Sequence, residues 1–108
     1  ALINLMDVSD GVPITYYPLT PTFTVLPPEV IKRDLARLLH IFHGLGRCLL
    51  IQEIGYPAST GTSSSEQTQA DFVRAIGDAI RLTDVGAQNL LTGFSLFKLV
   101  DWTPAHCQ

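Results

Sequence analysis

The apolar run Cys48-Leu49-Leu50-Ile51 constrains the fold of this chain more than any other segment. It does not alternate apolar with polar residues, which is typical of a strand covered on both faces, as strands of parallel sheets are. The run ends in Gln52-Glu53-Ile54-Gly55-Tyr56-Pro57, where polar, glycine and proline residues indicate a following loop. We therefore predict a buried parallel β-strand with Glu53 at its carboxyl end.

A strand and a helix are predicted before this run. The segment Val12 to Tyr17 is apolar and aromatic, and Pro18-Leu19-Thr20-Pro21 ends it, so it is predicted to be a strand. Pro27-Pro28-Glu29 suits the first turn of a helix, and Gly44 or Gly46 suits its end. Between them, apolar residues recur at helical spacing: Ile31, Leu35, Leu38, Leu39 and Phe42.

A helix and a strand are predicted after the run. Ser63 and Glu66 form a capping-box pattern, and the helix that follows is expected to turn Phe72, Val73, Ile76 and Ile80 inward. The segment from Leu90 to Val100 is strongly apolar and ends at Asp101-Trp102, as a third strand would. The order strand, helix, strand, helix, strand predicts βαβ units with parallel strands.

The fold class is therefore α/β, a parallel βαβαβ arrangement in a single domain over residues 1–108. A (β/α)8 barrel needs eight strands and typically about 250 residues, so this chain would be a partial TIM barrel. A small doubly wound sheet is the alternative, although it also normally has more strands. Open sheet edges and uncovered apolar faces favour association, so an oligomer or missing barrel segments are expected.

The charge pattern argues against two classes of partner. A net charge of −3 over scattered acids and bases forms neither a basic stripe for nucleic acid nor a polybasic patch for a membrane. No apolar stretch approaches the roughly 20 residues that span a bilayer, and residues 1–6 lack the basic flank of a secretory signal. The two cysteines do not decide the compartment.

No cofactor and no metal are predicted. His40 and His43 have no cysteine or carboxylate nearby in sequence, so their spacing is poor evidence for a metal site. The loop from Ser59 to Ser65 lacks the Gly-Lys-Ser/Thr ending of a phosphate loop, and a capped helix start explains it better.

Polar and aromatic residues follow all three predicted strands, where α/β proteins bind ligands. They are Tyr16-Tyr17, then Glu53 with Tyr56, then Asp101-Trp102. Glu53 is the hardest to explain as structure, because an unpaired charge beside an apolar strand is costly. It either has a functional role, caps the next loop, or pairs with an arginine. Packing explains the tyrosines as well as substrate contact does. Trp102 is explained either as an apolar plug or as a platform for a sugar ring.

Three segments resemble the last three strand–helix units of a retaining glycoside hydrolase (β/α)8 barrel of clan A. They are residues 14–19 (Ile-Thr-Tyr-Tyr-Pro-Leu), residues 50–57 (Leu-Ile-Gln-Glu-Ile-Gly-Tyr-Pro) and residues 64–73 (Ser-Ser-Glu-Gln-Thr-Gln-Ala-Asp-Phe-Val). The likeness covers nearly all of this chain and less than half of such a barrel.

The resemblance implies roles for individual residues. Glu53 matches the nucleophile after the seventh strand, Tyr16 or Tyr17 matches the end of the sixth, and Trp102 matches the sugar-stacking tryptophan after the eighth. Tyr56 is a further candidate for substrate contact. In the clan the acid/base glutamate follows an asparagine after the fourth strand, and this sequence has no Asn-Glu pair. The general acid is therefore expected from outside the 108 residues.

Two other hypotheses remain open beside a retaining glycosidase acting on a carbohydrate. One is a non-catalytic carbohydrate-binding or self-assembling barrel fragment that uses Tyr17, Tyr56 and Trp102 as stacking surfaces. The other is a partial product with no function of its own.

Overall fold

Three strands alternate with two helices in the part of the chain that the computed structural model describes, residues 11–84 and 91–96. The elements are β1 (Gly11–Tyr16), α1 (Val30–Leu45), β2 (Cys48–Ile54), α2 (Glu66–Asp84) and β3 (Leu91–Leu96), with a short 3-10 turn at Thr60–Thr62. The predicted order of elements is confirmed.

The strands form one parallel sheet in the order β1-β2-β3, so each strand pairs with its neighbour in sequence. The predicted parallel βαβαβ arrangement is confirmed. Both helices share one core with the same face of the sheet. The buried apolar residues of this core are Ile31, Leu35, Leu39, Phe42, Leu49, Ile51, Ile54, Tyr56, Phe72, Ala75, Ile76 and Ala79. A doubly wound sheet would instead carry helices on both faces.

The opposite face of the sheet is open within the described residues. Leu50 is 40% exposed, and Pro13, Thr15 and Gln52 are exposed as well. The prediction that the run from Cys48 to Ile51 is covered on both faces is therefore wrong for this part of the chain. The physical reason is that α1 and α2 form a single layer, which buries only alternate residues of β2.

Helix α1 ends at a glycine, as predicted, and the glycine is Gly46. It has a φ of 64°, and its N–H donates to the carbonyl of His43 at 3.1 Å. The N–H of Arg47 donates to the carbonyl of Phe42, also at 3.1 Å, which completes a Schellman motif. Gly44, the other candidate, lies inside the helix.

Helix α2 begins two residues later than the capping-box pattern predicts. Ser65 is its cap, because the Ser65 hydroxyl accepts a hydrogen bond from the N–H of Thr68 at 3.1 Å. Ser63 instead has a left-handed backbone with a φ of 59° and ends the preceding 3-10 turn. Val73 is 46% exposed rather than inward, and alanines complete the buried stripe. Neither helix in the described residues is long and apolar enough to cross a bilayer.

The third strand is observed over Leu91–Leu96, within the predicted segment. Residues 97–108 lie outside the described part of the chain, and with them the predicted sites at Asp101 and Trp102.

Candidate functional site

An irregularity in β2 determines which face of the sheet Glu53 occupies. In the pairing with β1, Ile14 lies opposite Ile51, but the next pair is Thr15 with Glu53, so Gln52 is an extra residue on β2. In a regular strand, Glu53 would follow Leu49 and Ile51 onto the helix-covered face. The extra residue reverses the alternation, so Ile54 is buried and the half-buried Glu53 lies on the open face beside Thr15.

Tyr17 is the residue that the structure brings to Glu53. It directly follows β1, and its phenol donates a short hydrogen bond to Oε1 of Glu53. Because carboxyl ends of neighbouring parallel strands meet at one edge of the sheet, residues 36 apart in sequence come into contact there.

Gly55 makes this contact sterically feasible. A Cβ atom at position 55 would lie 3.1 Å from Cδ1 and from Cζ of the Tyr17 ring, and still closer to Cε1. The N–H of Gly55 also donates to the carbonyl of Tyr16 at 3.2 Å, which holds the two strand ends together. The aromatic ring therefore lies directly against the backbone of Gly55, and any larger residue would displace it.

The phenol of Tyr17 is held in its protonated form. Burial raises its pKa to about 12, with further contributions from the hydrogen bond to Glu53 and from the negative charge of that carboxylate. Tyr17 therefore remains a hydrogen-bond donor to Glu53 throughout the neutral pH range, and it fixes the orientation of the carboxylate.

Tyr16 does not reach this site. Its hydroxyl donates to Oδ2 of Asp34 on α1 at 2.7 Å, on the side of the sheet that the helices cover. Burial is the main cause that raises its pKa, and the hydrogen bond to Asp34 adds to the effect. Of the two adjacent tyrosines, Tyr17 alone contacts Glu53, because neighbouring strand residues project to opposite faces.

Tyr56 lies in the core, although it follows Glu53 closely in sequence. It is 5% exposed, and its ring stacks on Phe72 with 4.6 Å between the ring centroids. The Tyr56 hydroxyl donates to the carbonyl of Leu26 at 2.6 Å, and the side-chain amide of Gln69 donates to the backbone carbonyl of Tyr56 at 2.6 Å. Its ring and hydroxyl are thus engaged inside the protein, and the structure does not place it with Glu53 and Tyr17.

A hairpin between β1 and α1 adds an aromatic residue that the sequence analysis missed. Leu19 and Val25 form an antiparallel bridge, and Phe23 lies in the turn between them, 71% exposed and with a φ of 60°. The N–H of Phe23 donates to the carbonyl of Thr20 at 2.9 Å, which closes a β-turn with Pro21 in its second position. Proline is favoured at that position, so Thr20-Pro21 was the sequence signal for this turn.

Within residues 11–84 and 91–96, no group of three or more histidine, cysteine, aspartate or glutamate side chains is arranged to hold a metal ion. Comparison of the chain with protein-family models, with curated proteins and with solved structures found no match. The geometry around Glu53 is thus the observation from which a function can be inferred.

Proposed function

We propose that this chain is part of a (β/α)8 barrel of a retaining glycoside hydrolase, and that Glu53 is the nucleophile. The observation that carries the proposal is the hydrogen bond from Tyr17 to a half-buried carboxylate at the carboxyl end of a parallel strand. Barrel enzymes place their catalytic groups at that end.

The architecture supports the barrel part of the proposal. In a barrel, strands follow in sequence order, the helices form an outer layer, and the inner face carries side chains from the strands. Here the strands are in sequence order, both helices lie on one face, and Leu50 and Glu53 lie on the other. Under this proposal, further strands would cover the open face and extend the sheet at its edges.

Retaining hydrolysis gives Glu53 a defined role. One carboxylate oxygen attacks the anomeric carbon and the bond to the leaving oxygen breaks, while a second carboxyl group protonates that oxygen. Water then hydrolyses the glycosyl–enzyme ester with the second group acting as the base. Since Tyr17 donates to Oε1, Oε2 of Glu53 is the oxygen available for attack.

The second carboxyl group has to lie about 5–5.5 Å from Glu53 in a retaining enzyme. The resemblance to clan A places it on an Asn-Glu pair, which this sequence does not contain. The proposal therefore requires that another strand of the complete barrel supplies the acid, and this chain alone is expected to lack hydrolytic activity.

Covalent labelling tests the assignment of Glu53. We expect an activated 2-fluoroglycoside, incubated with the protein in its complete barrel, to label Glu53, as located by peptide mass mapping. Tyr17→Phe should slow labelling about 10- to 100-fold, the effect of losing a hydrogen bond to a charged group worth about 1.5–3 kcal/mol. Tyr16→Phe makes the same chemical change on the helix-covered face and should label at nearly the native rate. Label on a residue other than Glu53 would refute the assignment.

A carbohydrate-binding module without catalysis is the second candidate, and the exposed ring of Phe23 favours it. Titration with oligosaccharides beside a hydrolysis assay separates the two candidates. Binding that persists in Glu53→Gln, with no hydrolysis by the native protein, supports the module. Hydrolysis by the native protein that Glu53→Gln abolishes supports the enzyme.

A further inference from the structure

A polar row crosses the open face of the sheet at the level of Glu53. On β1, Thr15 lies opposite Glu53 and is exposed. Within β2, the extra residue Gln52 adjoins Glu53 and is exposed as well. Adjacent strands lie about 4.8 Å apart, so Thr15 and Gln52 are immediate neighbours of Glu53 on this face.

Ser95 extends this row onto β3. Phe94 pairs with Ile51 and Leu96 pairs with Ile54, and both isoleucines are buried in the core under the helices. Residues that pair across a parallel sheet point to the same face, and successive residues of a strand alternate between faces. Ser95, between the two paired residues of β3, therefore lies on the open face, where it is exposed. It borders the bulge of β2 on the side away from β1.

The next row toward the amino ends of the strands is apolar. Pro13 pairs with Leu50, and Leu50 pairs with Gly93. A Cβ atom at Gly93 would meet Cδ1 of Leu50 at 3.7 Å, so the Leu50 side chain lies beside Gly93 on this face. The open face thus changes from apolar to polar at Glu53. In the proposed barrel this face becomes the interior, where packing explains apolar side chains but polar ones need hydrogen-bond partners.

The polar row carries no charge apart from that of Glu53. Hydroxyl and amide side chains both donate and accept hydrogen bonds, as the hydroxyl groups of a sugar do. Within residues 11–84 and 91–96, lysine and arginine occur only on the two helices and at Arg47, which precedes β2. Arg47 lies six residues before Glu53, which is about 20 Å along an extended strand. The described surroundings of Glu53 therefore match a hydroxyl group better than an anionic group, which the carboxylate would also repel.

We propose that Thr15, Gln52 and Ser95 bind hydroxyl groups of the sugar unit that Glu53 attacks, and that this unit is neutral rather than a uronic acid or a phosphorylated sugar. This inference rests on the proposed function and names its substrate class. A neutral sugar gives the three side chains the hydrogen-bond partners that they need in a barrel interior. A carboxylate or phosphate group on the sugar would lose its water on binding and would find no cation in the row to replace it.

Hydrolysis by the protein in its complete barrel tests the substrate class. Nitrophenyl glucosides, galactosides and mannosides of both anomeric configurations are compared with their uronide and phosphorylated counterparts. We expect kcat/KM for the best neutral glycoside to exceed that of its charged counterparts by about 100-fold or more, because the charged group would be left without a partner. A charged glycoside that is hydrolysed as well as the best neutral one overturns the inference.

Thr15→Val, Gln52→Ala and Ser95→Ala test the individual contacts, and Gln67→Ala is the control, because Gln67 is exposed on α2 in the helix layer. We expect each of the three variants to lower kcat/KM for the best neutral glycoside about tenfold, and the control to act like the native protein. Each variant should lose its effect on the one monodeoxy derivative that lacks the hydroxyl group it binds. A loss that is equal on every derivative shows an indirect structural effect and overturns the inference.

Labelling with 2-fluoro derivatives of the neutral and the charged glycosides separates this inference from the proposed function. Label on Glu53 with a preference for charged glycosides, or with no effect of the three variants, overturns the inference and leaves the nucleophile assignment intact. Absence of label on Glu53 with every derivative overturns the nucleophile assignment, and the inference with it.

Discussion

The position of Tyr17 over Gly55 shows how one small residue organises the candidate site. Its hydrogen bond to Glu53 needs the ring to cross the end of β2, and only a residue without a Cβ leaves room there. Because of this close approach, both the packing of the Tyr17 ring and its hydrogen bond to Glu53 depend on glycine at position 55.

Gly55→Ala should therefore lower the free energy of unfolding by about 1–3 kcal/mol, because the new methyl group overlaps the Tyr17 ring. Gly77→Ala is the matched control, since a Cβ there meets nothing within 4 Å and helix α2 favours alanine over glycine by about 0.5–1 kcal/mol. Urea denaturation of both variants measures the difference. Equal stability of the two variants would contradict the steric role of Gly55.

The sequence located Glu53 at a strand end but could not identify its partner. Tyr16 and Tyr17 are adjacent and chemically identical, and they project to opposite faces. Choosing between them requires the strand register, which depends on pairing with β2. The exposed Phe23 was missed for a similar reason, because its exposure and its backbone angle depend on the tertiary structure and hydrophobic periodicity does not report them.

At the scale of one strand, the candidate site depends on the bulge at Gln52 in β2. It places Glu53 on the open face and Ile54 in the core. A shift of one residue in a strand exchanges the faces of every residue after it.

Deletion of Gln52 should leave Glu53 opposite Thr15 on the open face and Ile54 in the core, because Gln52 is the extra residue and its removal gives regular pairing with β1. We expect the free energy of unfolding to change by no more than about 1 kcal/mol, whereas in a strand without the bulge the same deletion would bury Glu53 unpaired and cost about 3 kcal/mol or more. Gln52→Ala keeps the chain length and removes only an exposed side chain, so its effect should stay within about 0.5 kcal/mol. Denaturant unfolding compares the two variants, and a loss of about 3 kcal/mol or more in the deletion variant would refute the bulge at Gln52.

The start of α2 gives a second prediction for a single element. Because Ser65 caps the helix, Ser65→Ala should cost about 1 kcal/mol of stability. Ser63→Gly should be neutral or stabilising, because glycine suits the left-handed backbone at that position. Thermal unfolding of both variants decides between the two serines, and a larger loss at Ser63 would restore the capping-box interpretation.

Element order and strand direction could be predicted because they follow from apolar periodicity and from crossover length. The sequence could not predict that only one face of β2 is covered within the described residues. An apolar run alone does not show how many layers of helices pack on the sheet. The prediction that Val73 points inward is wrong because a sequence pattern does not fix the rotation of a helix about its axis. The apolar pattern allows several rotations of α2, and packing against α1 and the sheet selects the one that buries Ala75 and Ala79.

Across the whole molecule, all three tyrosines of the sequence have raised pKa values, with burial as the leading cause in each. A tyrosine whose folded pKa exceeds its unfolded value of about 10 stabilises the fold fully below that pH. This contribution is lost as the pH rises through the folded value, which is about 12 for Tyr17.

The free energy of unfolding should therefore fall between about pH 10 and pH 12, and Tyr17→Phe should reduce that fall. Denaturant titrations at several alkaline pH values measure the slope, and the ultraviolet absorbance of tyrosinate reports ionisation. The folded protein should show little tyrosinate at pH 10, where denatured protein is about half ionised. An identical slope in the native protein and in Tyr17→Phe would contradict the effect of Tyr17.

The pairing of each strand with its neighbour in sequence also bears on how the chain acquires its structure. The strand pairing of β1 with β2, across the crossover helix α1, does not involve β3, which pairs with β2. During synthesis such a unit can assemble while the rest of the chain is still emerging, and α2 and β3 then add to an edge that already exists. Assembly of the sheet can thus proceed in one direction, from the earlier strands to the later ones.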